Sequence, residues 1–68
     1  MYEKIVGRLI KCISRDGTKI TVTTGILSEF STEYKQILIL EQGTNLPIII
    51  AISNIEKLEV LSEGKNEN

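Results

Sequence analysis

"NLPIIIAISNIEKLEVL", residues 45–61, decides how this chain folds. From Leu46 to Ile52 every residue is apolar or proline. A strand with one wet face alternates apolar and polar side chains, and this run does not. If Ile48, Ile50 and Ile52 point into a core, Ile49 and Ala51 point away from it. The opposite phase exchanges the two sets and leaves the same surplus. The next residues, Ser53 to Ile55, read as one tight turn, because Ser and Asn side chains bond readily to nearby backbone. "EKLEVL" then reads as a last strand, with Leu58 and Val60 on one face and Glu59 between them.

The surplus recurs one strand earlier. In "QILILEQ", Ile37 and Ile39 oppose Leu38 and Leu40, so one apolar pair again faces away from any single core. "GTNLP" turns the chain, and Pro47 belongs at the start of a strand or on a sheet edge because it lacks an N–H. Further back, "KITVTTGILSEF" alternates: Ile20, Val22, Thr24 and Ile26 share one face, and Lys19, Thr21, Thr23 and Gly25 the other. The parity breaks at Leu27, just after Gly25, which predicts one long strand bent near the glycine and closed by Phe30. "SRDGTK" predicts a hairpin turn at Asp16-Gly17. "STEYK", residues 31–35, is a polar connection.

The N-terminal segment supports two readings. Tyr2, Ile5, Val6, Leu9, Ile10 and Ile13 fall at amphipathic helical spacing, with Lys4, Arg8, Lys11 and Arg15 opposite. Gly7, the β-branched residues and the following hairpin turn favour a strand instead. As a strand, Val6, Arg8, Ile10 and Cys12 share one face, and Ile5, Gly7, Leu9, Lys11 and Ile13 the other. Residues 2–14 are therefore strand or short helix.

Composition favours sheet. Of 68 residues, 22 are Ile, Leu or Val and 12 of these are Ile, while Ala51 is the only alanine. The length suits one domain, residues 1–61, with a polar tail at 62–68. A chain this small usually needs a staple or a partner. Cys12 is the only cysteine and there is no histidine, so neither an internal disulfide nor an ordinary zinc site can be assembled. Cys12 reads as a small buried hydrophobe. There is no signal-peptide pattern and no run long enough to span a bilayer, so the expected location is cytoplasmic, with no membrane partner.

These absences also bear on chemistry. With no histidine base, no nucleophile pair and no phosphate-cradling glycine motif, the chain is expected not to be an enzyme and to carry no cofactor or metal. The net charge of −1 argues against strong nonspecific nucleic-acid binding. The charge is unevenly placed, however. Residues 1–19 carry Lys4, Arg8, Lys11, Arg15 and Lys19 against Glu3 and Asp16, and the remainder carries seven glutamates.

Five short strands in so few residues predict a mainly β fold, a five-stranded, strongly bent small barrel of the SH3-like kind. Two stretches resemble the two halves of the Sm-like family. "GILSEF", Gly25 to Phe30, is similar to the first half's glycine, apolar pair and aromatic. "IIIAISNIEKL", Ile48 to Leu58, is similar to the second half, where a strand meets a tight turn and an apolar residue enters the last strand. Its "AIS" is close to the bacterial Hfq version. The resemblance runs from about Gly25 to Leu61. It departs from the family where Ser31 replaces an acidic residue, where "TEYKQ" lacks the base-holding asparagine, where "AISN" replaces an arginine-glycine pair, and where the pore histidine is missing. The resemblance thus implies a scaffold without its base-reading residues.

In Sm-like proteins the fourth strand of one subunit joins the fifth of the next. The resemblance and the surplus apolar face together predict a protein-interaction or assembly module that forms a homo-oligomer, in the family's case a ring. The predicted interface is Leu38, Leu40, Ile48, Ile49, Ile50 and Ala51 with Leu58 and Val60. A different protein partner is a further cover for the same face. The alternative is a single-stranded RNA-binding protein, with Arg8, Lys11, Arg15 and Lys19 on phosphates and Tyr34 as a stacking platform.

Overall fold

The computed structural model describes residues 2–61, so the predicted tail at 62–68 lies outside the described residues. Five antiparallel strands form one sheet: β1 (Leu9–Asp16), β2 (Lys19–Ser31), β3 (Gln36–Glu41), β4 (Pro47–Ala51) and β5 (Ile55–Val60), in the order β4-β3-β2-β1-β5. Short 3-10 turns cover Tyr2–Ile5 and Ile52–Asn54, and the described residues contain no α-helix. None of their helices is long and apolar enough to cross a membrane. The fold is mainly β, and strand pairing does not close the sheet, because β4 and β5 are its two edges.

The strand reading of the N-terminus holds from Leu9 on, and the amphipathic helix from Tyr2 to Ile13 does not form. Tyr2–Ile5 makes a single 3-10 turn, Gly7 at φ +94° swings the chain round, and β1 follows. The Gly7 N–H donates to the Leu27 carbonyl at 2.7 Å, and the Leu27 N–H donates to that of Arg8 at 3.0 Å. The β2 ladder thus captures the chain before β1 begins, and that long-range pairing overrides the helical spacing.

The first hairpin sits one residue later than the sequence predicts. Asp16 still pairs with Lys19, so Gly17-Thr18 is the loop and Gly17 takes φ +68° at its first position. Aspartate lacks glycine's freedom at positive φ, so it stays in the strand.

β2 is the long strand. It pairs with β1 from Lys19 to Ile26 and with β3 from Gly25 to Ser31, so Gly25-Ile26 is where one partner hands over to the other. Gly25 and the parity break are separate features. The register shift lies between Leu27 and Glu29, leaving Ser28 as the extra residue of a bulge. Gly25 permits close approach instead: a Cβ there would collide with the Leu40 carbonyl oxygen and lie 2.8 Å from Ile39 Cγ2.

Ile10, Cys12, Leu27, Ile37, Ile39 and Ile50 form the buried core, and Ile5, Phe30, Ile48, Ile52, Ile55 and Leu58 pack around it. Ile50 from one edge strand and Leu58 from the other meet the same cluster, so the sheet curls around it. The Tyr2 ring rests 5.2 Å from that of Phe30, capping the end where the 3-10 turn lies over β2.

Candidate functional site: two strand edges and a cleft

The cross-strand register sets which side chains share a face. Ile10, Cys12, Thr23, Leu27, Ile37, Ile39, Ile48 and Ile50 point inward. The outward face carries a row running across four strands, Leu9 beside Ile26, Ile26 beside Leu40, Leu40 beside Pro47. Ile13 beside Val22 and Leu38 beside Ile49 add two more apolar pairs. In β2 it is the isoleucine-valine set that faces out, with Ile20 and Val22 both more than half exposed, while Thr23 is buried.

Of the predicted interface residues, Ile49 and Ala51 are exposed, Leu38 and Leu40 are half-buried on the outward face, and Val60 is exposed. Ile50 is core, and Ile48 and Leu58 pack against it. The side chains of these three are already engaged, so in an edge-to-edge junction Ile48 and Ile50 would shape the floor beside β4.

Among the described residues, both edges carry unpaired backbone. The Ile52 N–H donates to the Lys35 carbonyl at 2.9 Å and the Glu41 N–H donates to that of Leu46 at 2.9 Å. In an antiparallel ladder bonded pairs alternate, so Ile48 and Ile50 bond to β3 while the N–H and C=O groups of Ile49 and Ala51 point off the sheet. At the other edge the Leu61 N–H donates to the Leu9 carbonyl at 2.8 Å. The same alternation aims the backbone groups of Leu58 and Val60 away from β1. Ile49 is 58% exposed and Val60 40%. An apolar edge of this kind is a template for another strand.

Along β4 runs a cleft of about 230 Å³. β4 and Asn54 form one wall, and the inward-facing Ser14, Asp16, Thr21 and Thr23 of the first hairpin form the other. Sequence reasoning missed this feature. The alternation of Thr21 and Thr23 was visible, but only the choice of inward face reveals that these hydroxyls line a recess.

The predicted nucleic-acid residues do not converge on one unopposed patch. Arg15 Nε donates to Glu56 Oε2, with both side chains partly exposed. Lys11 sits opposite Glu59 in the β1–β5 register. Lys19 is exposed at the hairpin end of β2, and Arg8 lies just before β1. Tyr34 is 70% exposed in the β2–β3 loop. Among the described residues no cluster of His, Cys, Asp or Glu could hold a metal ion. Cys12 is fully buried, and burial pushes its thiol pKa up from the ordinary value.

The chain matches no family model, no curated protein and no solved structure.

Proposed function

We propose that this protein is a non-enzymatic assembly module that joins copies of itself head to tail, the β4 edge of one chain pairing with the β5 edge of the next. The observation that carries the proposal is the pair of edges left unpaired among the described residues, with exposed apolar side chains standing beside them, Ile49 and Ala51 on β4 and Val60 on β5. In an antiparallel junction, edge residues that exchange hydrogen bonds share a face. Ile49 and Ala51 of one copy therefore come alongside Leu58 and Val60 of the next; Leu58 already packs on its own core, so the apolar surface that the junction hides is that of Ile49, Ala51 and Val60. Because the two surfaces differ, the contact is heterologous and yields a ring if the rotation closes or a filament if it does not.

The Sm-like reading of the sequence supports the same junction. That reading takes the curled sheet, the long β2 with its close-approach glycine and the 3-10 turn before β5 as an SH3-like small barrel whose walls are completed by neighbours. Binding of single-stranded RNA is the weaker function. Arg15 is engaged by Glu56, Lys11 faces a glutamate, and the chain carries a net charge of −1.

Amide hydrogen exchange tests the proposal. The N–H groups of Ile49, Ala51, Leu58 and Val60 should exchange slowly at high protein concentration and fast on dilution, while the Ile39 N–H stays slow throughout. Fast exchange at all four edge positions in concentrated protein counts against the junction.

A further inference from the structure

We propose that the open stretch of β2, Lys19 to Thr23, is a second self-association edge, and that it pairs with the same stretch of another copy about a two-fold axis at Thr21. The contact is separate from the β4–β5 junction and links one head-to-tail assembly to another.

The register leaves this edge open. β3 pairs with β2 only from Gly25 onward, and the Gln42 N–H adds one bond to the Thr24 carbonyl at 2.8 Å. Asp16 pairs with Lys19 across the hairpin, so the odd-numbered residues of β2 bond to β1 and the even-numbered ones, Thr24 among them, face the other way. The N–H and C=O groups of Ile20 and Val22 therefore point off the sheet, and among the described residues no strand pairs with them. Both side chains are more than half exposed. The stretch has no proline and no bulge, and its single charge, Lys19, stands at one end, so nothing guards it against another strand.

Hydrogen bonding and charge select a second copy as the occupant. Antiparallel self-pairing centred on Thr21 sets Ile20 of each copy against Val22 of the other, which satisfies the free backbone groups of both. The four β-branched side chains then pack together on the outward face, and Thr21 meets its own counterpart. In this register Lys19 of the second copy falls opposite Thr23. Glu41 stands opposite Gly25, two positions further along the same edge and on the same face. Glu41 Oε1 accepts from the Thr44 hydroxyl at 2.7 Å, which leaves Oε2 for the incoming ammonium. The two-fold axis makes this pair twice. Centring on Val22 instead would need the Thr24 carbonyl, already engaged by Gln42. Centring on Ile20 would carry Lys19 two positions away from Glu41. The contact is isologous, and it buries well under the roughly 1,200 Å² of a stable interface. It is therefore weak between single chains and gains strength by repetition along an assembly.

Disulfide trapping tests the proposal. Thr21→Cys and, as reference, Thr18→Cys are made in Cys12→Val chains, so that the introduced thiol is the only one. Directly opposed, non-hydrogen-bonded residues of antiparallel strands stand close enough for a disulfide. Under mild oxidation Thr21→Cys should give a covalent two-chain product several-fold faster than Thr18→Cys. The same preference should persist in Ile49→Lys chains at about 1 mM, where the head-to-tail junction is broken. Adding Lys19→Glu or Glu41→Lys to Thr21→Cys should slow trapping roughly tenfold, and an equimolar mixture of the two should recover it, because both cross-copy pairs are again opposite in charge. Circular dichroism checks folding, and Lys19→Gln and Glu41→Gln, each with a smaller loss, replace any reversal that unfolds. Equal trapping at positions 21 and 18, a preference that vanishes in Ile49→Lys, or a mixture without recovery overturns the proposal. A wild type that is monomeric by sedimentation while Thr21→Cys is still trapped at 1 mM removes the head-to-tail junction and leaves this contact standing.

Discussion

The carbonyl oxygen of Leu40 occupies the space in which a side chain at Gly25 would begin. The contact lies where β2 leaves β1 for β3, so any side chain there must push two paired strands apart. The obstacle is backbone, which cannot swing aside as the end of a flexible side chain would. Gly25→Ala should destabilise the fold by on the order of 3 kcal/mol, read as a lower urea midpoint. Unchanged stability would mean that β2 and β3 are not this closely apposed.

The two faces of β3 and β4 predict opposite outcomes for the same chemistry. Ile39 is fully buried, so Ile39→Ala should cost about 2–5 kcal/mol of folding stability. Ile49 is mostly exposed in the single chain, and Ile49→Thr should change the stability of dilute protein by no more than about 0.5 kcal/mol. At high concentration the same Ile49→Thr should lower the melting temperature, because the junction it weakens stabilises the fold by mass action. A concentration-independent effect would separate Ile49 from any interface.

Cys12 provides a pH signature. Its thiol is buried and its pKa is raised in the folded chain. Below the unfolded thiol pKa, about 8.5, the group is neutral in both states and its contribution to stability is fully present. Above it the unfolded chain loses the proton first, so stability falls with rising pH up to the folded value. Denaturant midpoints should therefore decline above about pH 8.5, and Cys12→Val should flatten that decline. Reaction with a thiol reagent at pH 8 should proceed only at the rate of opening. Rapid modification of native protein would contradict the burial.

Arg15 and Glu56 join β1 to the start of β5, yet both side chains are partly in water. A double-mutant cycle with Arg15→Ala and Glu56→Ala should give a coupling below about 1 kcal/mol that shrinks in high salt. The same pairing predicts no mobility shift with short oligo-U or oligo-A at micromolar protein. Salt-sensitive binding that disappears with Arg8→Ala and Lys11→Ala would restore the RNA reading.

Much of this architecture was legible in the sequence because alternation is a local signal. Ile37 and Ile39 against Leu38 and Leu40 could be sorted into two faces without coordinates, as could Ile50 and Ile49. What alternation cannot supply is the choice of inward face where both are plausible. In β2 the more apolar set, Ile20, Val22 and Ile26, faces out, and the threonines face in. That phase follows from pairing Thr23 with Cys12 and Leu27 with Ile39, contacts distant in sequence. Leu27 keeps the inward phase of Thr21, Thr23 and Gly25, and the bulge at Ser28 shifts the phase only after it, which is why Phe30 pairs with inward-facing Ile37 and packs on the core. The cleft escaped notice for the same reason. Ser14, Asp16, Thr21 and Thr23 read as ordinary hairpin polarity until β4 is placed opposite them.

Sedimentation equilibrium of the wild-type chain beside Ile49→Lys and Val60→Lys tests the central claim most directly. The strand-edge account predicts a wild-type mass several times that of one chain at micromolar concentration, with both variants reduced to monomer while keeping the wild-type circular dichroism spectrum. A wild-type chain that stays monomeric and fully folded across that range, with its β4 and β5 edges open to water, would contradict it.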